Sequence, residues 1–159
     1  MKRLLLISLF TFLCNSLLFA QLPKGDRTLA WQVDLTENED FEMAFNHAKV
    51  GCMESVHLFL TWSSLEPESG VFDADIISDF LDIVNIYYPL NDVKVELQIA
   101  VTNTIAKEVP ADLMAVAFDD PIMISRFKTA LDTIFAHLTD VDFAALNIGN
   151  ETDVLFGAD

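Results

Sequence analysis

Four stretches of this chain alternate apolar and polar residues with the period of a β-strand, and a helical pattern separates each from the next. Residues 28–35 put Leu29, Trp31 and Val33 on one face and Ala30, Gln32 and Asp34 on the other. Residues 56–62, 93–101 and 143–148 supply the second, third and fourth strands. Asp40 is placed to cap a helix bearing Phe41, Ala44, Phe45 and Ala48, which Gly51 ends. A second helical stripe runs through Ile76, Phe80, Val84 and Tyr87, and Pro89 with Asn91 and Asp92 stops it. The third helix opens at Asp120-Pro121, proline suiting a first helical position. It presents Ile124, Phe127, Leu131, Ile134, Phe135 and Leu138 as a broad apolar face. Strands that alternate with crossover helices imply a parallel sheet with right-handed connections.

Two architectures satisfy that order: a doubly wound open sheet, or half of an eight-fold barrel. The strand faces discriminate between them. Parallel strands covered by helices on both sides read as nearly continuous apolar runs. Here Gln32 and Asp34, Glu96 and Gln98, and Asn147 and Glu151 keep one parity polar. His57 and Thr61 do so weakly on the second strand. The apolar parity is expected to pack on helices and the polar parity to point into a barrel. The connections agree, being short from helix to strand and long after the second and third strands, where barrel enzymes build their sites. The expected class is α/β, of the (β/α)₈ TIM-barrel type, represented by its first four βα units. A flavodoxin-like sheet would want a phosphate-cradling loop after the first strand, and Thr36-Glu37-Asn38 is acidic and lacks glycine.

Residues 1–20 have the form of a cleavable signal peptide, with Lys2 and Arg3 ahead of an apolar run and Ala20 at the junction. The expected product is secreted, periplasmic or cell-surface, without a membrane span, and residues 21–159 form one domain. Removing the leader leaves Cys52 alone, so the domain must be held by its core rather than by an internal disulfide. The net charge of −16 becomes more negative still, a surface that repels nucleic acid and anionic membranes. No Cys/His cluster points to a metal, and no cofactor is expected.

The stretch 143–156, FAALNIGNETDVLF, sets a carboxylate, Glu151, just past the fourth strand with Asn150 beside it. Upstream, TWSSLEPESGVFD occupies 61–73. With both in place the chain resembles the glycoside hydrolases of clan A. In many of these a tryptophan ends the second strand, ahead of a run matched here by Leu65, Glu66, Pro67, Gly70, Phe72 and Asp73. An Asn-Glu pair ends their fourth strand. The GNE form is similar to that of endo-β-1,4-galactanases, although their flanking residues are not reproduced. The resemblance implies a retaining hydrolase of poly- or oligosaccharides in which Glu151 is the general acid/base and Asn150 donates to the sugar hydroxyl next to the anomeric carbon. Such a reaction pairs the acid with a second carboxyl roughly 5 to 5.5 Å away. The acid must start protonated, which partial burial beside that second carboxyl arranges.

Asp34, Trp62 and Asn103 are the further candidates for touching substrate, with Gln98 a weaker one. Trp62 shares the parity of Leu58 and Leu60, so core packing and stacking on a sugar compete for it. Glu66 and Asp73 are expected to shape their loop, His57 to be a satisfied interior histidine and Cys52 a buried filler. Alternation alone sends Glu151 inward and Asn150 outward, so both act only if the strand end bulges. The clan's nucleophile stands at the end of a seventh strand, and a full barrel takes about 250 residues. The chain is therefore expected to be the N-terminal half of a longer barrel, or else a half-barrel that self-associates through open sheet edges. The alternative function is a non-catalytic module that binds saccharide or a protein.

Overall fold

The computed structural model describes residues 25–34 and 40–157. The leader and the exit of the first strand lie outside them. Four strands, β1 (Ala30–Trp31), β2 (Ser55–Thr61), β3 (Lys94–Ala100) and β6 (Phe143–Asn147), form one parallel sheet in chain order. A doubly wound sheet reverses its strand order at a switch point. Here every crossover moves the chain one place in the same sense, the winding of a barrel wall.

The first helix, α1 (Phe41–Val50), forms where the periodicity predicts it. The Asp40 carboxylate accepts from the Met43 N–H at 2.8 Å, and Ala44, Phe45 and Ala48 are buried. Gly51 caps it, and its missing side chain matters for a second reason: a Cβ there would come within 2.8 Å of the Trp31 ring. The left-handed residue at this end is Cys52, with φ of 63°. It is exposed, which corrects its assignment as a buried filler.

The ladder between β2 and β3 is unbroken from Ser55↔Lys94 to Thr61↔Ala100. Val95, Leu97 and Ile99 are fully buried on the helix side, with Val56 and Leu60 beside them. On the other side lie Ser55, His57, Phe59, Glu96 and Gln98; the Ser55 hydroxyl donates to Glu96 at 3.0 Å. That parity is less polar than the sequence implies, because Phe59 is left 40% exposed on it.

The first strand departs furthest from expectation. Among the described residues only Ala30 and Trp31 pair with β2, and Leu29 and Trp31, expected to pack on helices, are 45% and 39% exposed. An edge strand has a neighbour on one side only, so alternation does not ensure burial there. The second helical stretch begins as a π-helical turn, Ile76–Leu81, before α3 (Asp82–Leu90). One extra residue in that turn rotates the stripe, so Leu81, Val84 and Tyr88 are the buried positions. Pro89 sits inside the last turn of α3, which ends one residue later.

After β3 the chain folds a hairpin, β4 (Thr102–Asn103) with β5 (Ala106–Lys107), and a 3₁₀ turn, Ala111–Leu113, where the sequence shows only a long loop. The Lys107 ammonium gathers the turn by donating to the carbonyls of Leu113, Met114 and Val116. The longest helix among the described residues, α4 (Pro121–His137), is capped by Asp120, whose carboxylate accepts from the Ile122 N–H at 2.8 Å. Met123, Ala130 and Ile134 are buried, whereas Ile124 is 44% exposed. Ile124 lines an open apolar groove of about 440 Å³ with Phe127, Ile148 and Phe156.

One buried carboxylate joins these parts. Short helix α2 (Trp62–Leu65) turns the chain out of β2 and delivers Glu66, which is 1% exposed. Glu66 accepts from the Trp62 indole at 2.8 Å, the Gly70 N–H at 2.7 Å and the Arg126 guanidinium of α4 at 2.5 and 3.0 Å. Arg126 also donates to Ser69 at 2.8 Å and Asp112 at 2.9 Å. Burial opposes the Arg126 charge, but the hydrogen bonds to Asp112 and Glu66 outweigh it and raise its pKa. The hydrogen bond from Arg126 also holds Asp112 below its usual value.

Breaking one side of a buried pair strands the other charge, at about 3 to 5 kcal/mol. Arg126→Ala is therefore expected to lose about that much stability in urea unfolding, and Glu66 with it its main counter-charge. Burial, aided by the neighbouring Tyr87, pushes the Tyr88 phenol from 10.0 up to about 12. The folded state thus resists its ionisation. Stability is retained below pH 10.0 and declines as pH rises toward 12. Tyr88→Phe should flatten that alkaline decline when unfolding is followed by tryptophan fluorescence.

Candidate functional site

Beyond Asn147 the chain leaves β6 and closes onto the hairpin that follows β3. The Gln98 side-chain amide donates to the Gly149 carbonyl at 2.7 Å. The Asn150 N–H donates to the Thr102 carbonyl at 2.9 Å, and the Thr104 N–H to the Asn150 carbonyl at 3.2 Å. Side chains repeat the pairing. Asn150 donates through Nδ2 to Asn103 Oδ1 at 2.9 Å, and the Thr104 hydroxyl donates to Glu151 Oε2. Two strand exits are thereby zipped together over Asn103, Thr104, Asn150 and Glu151.

Backbone geometry resolves the parity conflict in the sequence. Gly149 has φ of 157° and Glu151 φ of 49°, so the strand end does not continue its alternation. Both Asn150 and Glu151 consequently reach the same hairpin. Gly149 is the residue that permits this, since a Cβ would lie 2.6 Å from Thr152 Cγ2 and 3.2 Å from Thr102 Oγ1. Just beyond, α5 (Thr152–Phe156) begins. Thr104 opposes Glu151 with a left-handed φ of its own, 55°. Residues other than glycine held there carry strain of about 1 to 3 kcal/mol each, and such strain gathers at functional sites.

The predicted residues divide. Asn103, Asn150 and Glu151 come together. Trp62 does not join them: it is fully buried, bonded to Glu66 and packed on Phe127 with ring centres 5.1 Å apart. Its assignment to substrate stacking gives way to a core role, because the chain turns into α2 at Trp62 and carries the ring to the helix side. Asp34 is exposed and accepts from Gln32 at 3.1 Å, within its own segment. Among the described residues, none of the hydrogen bonds that zip the two exits involves it. Gln98, a weaker candidate, acts on the backbone of Gly149. Glu66 and Asp73 shape the loop as expected, Asp73 by accepting from the N–H groups of Asp75 and Ile76 at 3.0 and 2.9 Å.

Glu151 itself is exposed, so the partial burial expected of a proton donor is not supplied by the described residues. The residue that sequence reasoning missed is Thr104. Its signal was a run of three hydrogen-bonding side chains, Thr102 to Thr104, immediately past the best-formed strand. No group of His, Cys, Asp and Glu among the described residues is arranged to hold a metal. No helix among them is long and apolar enough to cross a membrane.

No protein-family model matches the chain, and no curated protein does. Solved structures do. A GH5_18 from Bifidobacterium longum subsp. infantis is 20% identical, with a TM-score of 0.54 over 67% of this chain and 26% of that one. A GH5_18 variant from Bifidobacterium longum subsp. longum ATCC 55813, in complex with Manb1-4GlcNAc, is 15% identical, with a TM-score of 0.56 over 77% of this chain and 33% of that one. The chain thus shares a fold with part of these clan A glycoside hydrolases, and spans about a quarter to a third of their length.

Gly149→Ala tests the backbone geometry. It should destabilise the protein by about 1 to 3 kcal/mol in denaturant unfolding, and weaken the amide protection of Asn150 and Thr104 in hydrogen exchange.

Proposed function

We propose that the chain is the N-terminal part, the first four βα units, of a secreted retaining (β/α)₈ glycosidase acting on a poly- or oligosaccharide. Glu151 serves as its general acid/base. One observation carries the reading: Glu151 leaves the fourth strand of a sequentially ordered parallel sheet with Asn150 and Asn103 at its side. The likeness to glycoside hydrolases that are several times longer supports it, as does the disaccharide in one of them. Asn150 would hold the hydroxyl beside the anomeric carbon while Glu151 protonates the leaving oxygen and later deprotonates water. The attacking carboxylate then comes from residues other than those described, about 5 to 5.5 Å from Glu151 in the assembled site. The exposed apolar residues at the β6 side, Leu146 and Ile148, would be covered by the rest of the barrel or by a second copy.

A second reading, a non-catalytic saccharide-binding half-barrel, draws on the exposure of Glu151. Both are tested by one experiment. The polypeptide encoded by the full gene is assayed on aryl β-glycosides and on β-linked oligo- and polysaccharides, with and without Glu151→Gln. Loss of a general acid should lower turnover by about 10² to 10⁴-fold. Unchanged turnover removes Glu151 from the role, and saccharide binding without turnover in the parent protein selects the second reading.

A further inference from the structure

We propose that Thr104 is the positioning residue of Glu151, an inference that rests on the acid/base reading above. Thr104 is the first of the two residues linking β4 to β5, and its φ is 55°. Two-residue hairpins with a left-handed first position favour glycine there, and a β-branched residue at positive φ is an outlier. A threonine in that place therefore works against the turn. What its side chain adds is a hydroxyl that donates to Glu151 Oε2.

The partner is held in the same unusual way. Glu151 also sits at left-handed φ, 49°, and the Asn150–Asn103 contact fixes the residue before it. The Thr104 N–H donates to the Asn150 carbonyl, so backbone and side chain of Thr104 grip consecutive residues of the strand end. Glu151 is exposed, and burial does not restrain its rotamers. The hydroxyl does, and by occupying Oε2 it leaves Oε1 as the oxygen presented to a substrate.

A structural role and a positioning role predict opposite signs. Thr104→Gly relieves the turn and should raise Tm by about 2–4 °C, while kcat of the full-length protein falls with KM little changed. Thr104→Val, which keeps the branched side chain but lacks the hydroxyl, should lower kcat in the same way, and Thr104→Ser should restore it. A kcat unchanged in Thr104→Val overturns the proposal, as does a Thr104→Gly protein that loses thermal stability. Failure of the acid/base reading is seen separately, as unchanged turnover in Glu151→Gln.

Discussion

The fold depends on a charge placed where charges are costly. Glu66 is buried, and a buried carboxylate persists only when every lone pair is answered. Indole, backbone amide and guanidinium answer it here, and each comes from a different piece of chain. The Trp62 indole fixes α2, Gly70 fixes the loop, and Arg126 ties both to α4. Through Ser69 the same guanidinium holds that loop a second time, and through Asp112 it reaches the segment that follows the β4–β5 hairpin. Glu66, expected from the sequence to shape its own loop, also joins that loop to the next strand exit through Arg126. Apolar burial supplies the bulk stability around it, but burial is not directional. The ion pair sets the position of one loop relative to the next.

That distinction explains where the two halves of the Trp-Glu-Pro and Asn-Glu pattern part company. The first is architectural: Trp62 and Leu65 are fully buried and Glu66 nearly so. The second is at the surface, where Asn150 and Glu151 are held by a hairpin rather than by a core. The scaffold is thus rigid behind the candidate site, and the site is aimed by a few hydrogen bonds between strand exits. Left-handed backbone at both Thr104 and Glu151 marks the place where the chain gives up favourable local geometry to aim them.

Legibility in the sequence follows from how local each cause is. The third strand and α4 can be read directly, because Val95, Leu97 and Ile99 alternate in the middle of a sheet and Asp120-Pro121 is a local start signal. The first strand is misread because its burial depends on an edge, which alternation does not encode. The π-helical turn is invisible because inserting one residue leaves apolar composition unchanged while rotating the buried face from Tyr87 to Tyr88. Trp62 is ambiguous until Arg126, distant in sequence, is seen to complete the Glu66 network. The Asn150–Glu151 pair can be located from its strand, but its partners Asn103 and Thr104 belong to a hairpin whose turn residues carry no glycine signal.

The parallel ladder also dictates how the chain must find its shape. Ser55 pairs with Lys94, and Val95 with Phe143, each across a complete helix. No strand of the main sheet can meet its neighbour through a tight turn, so the entropy of closing each long loop falls due before any ladder forms. The β4–β5 hairpin is the exception, a pairing that closes locally. Its turn is strained at Thr104, so it gains its full support only when the exit of the last strand bonds to it through Asn150 and Glu151. Hairpin and strand exit are thus completed together, each closing the conformation that the other cannot hold alone.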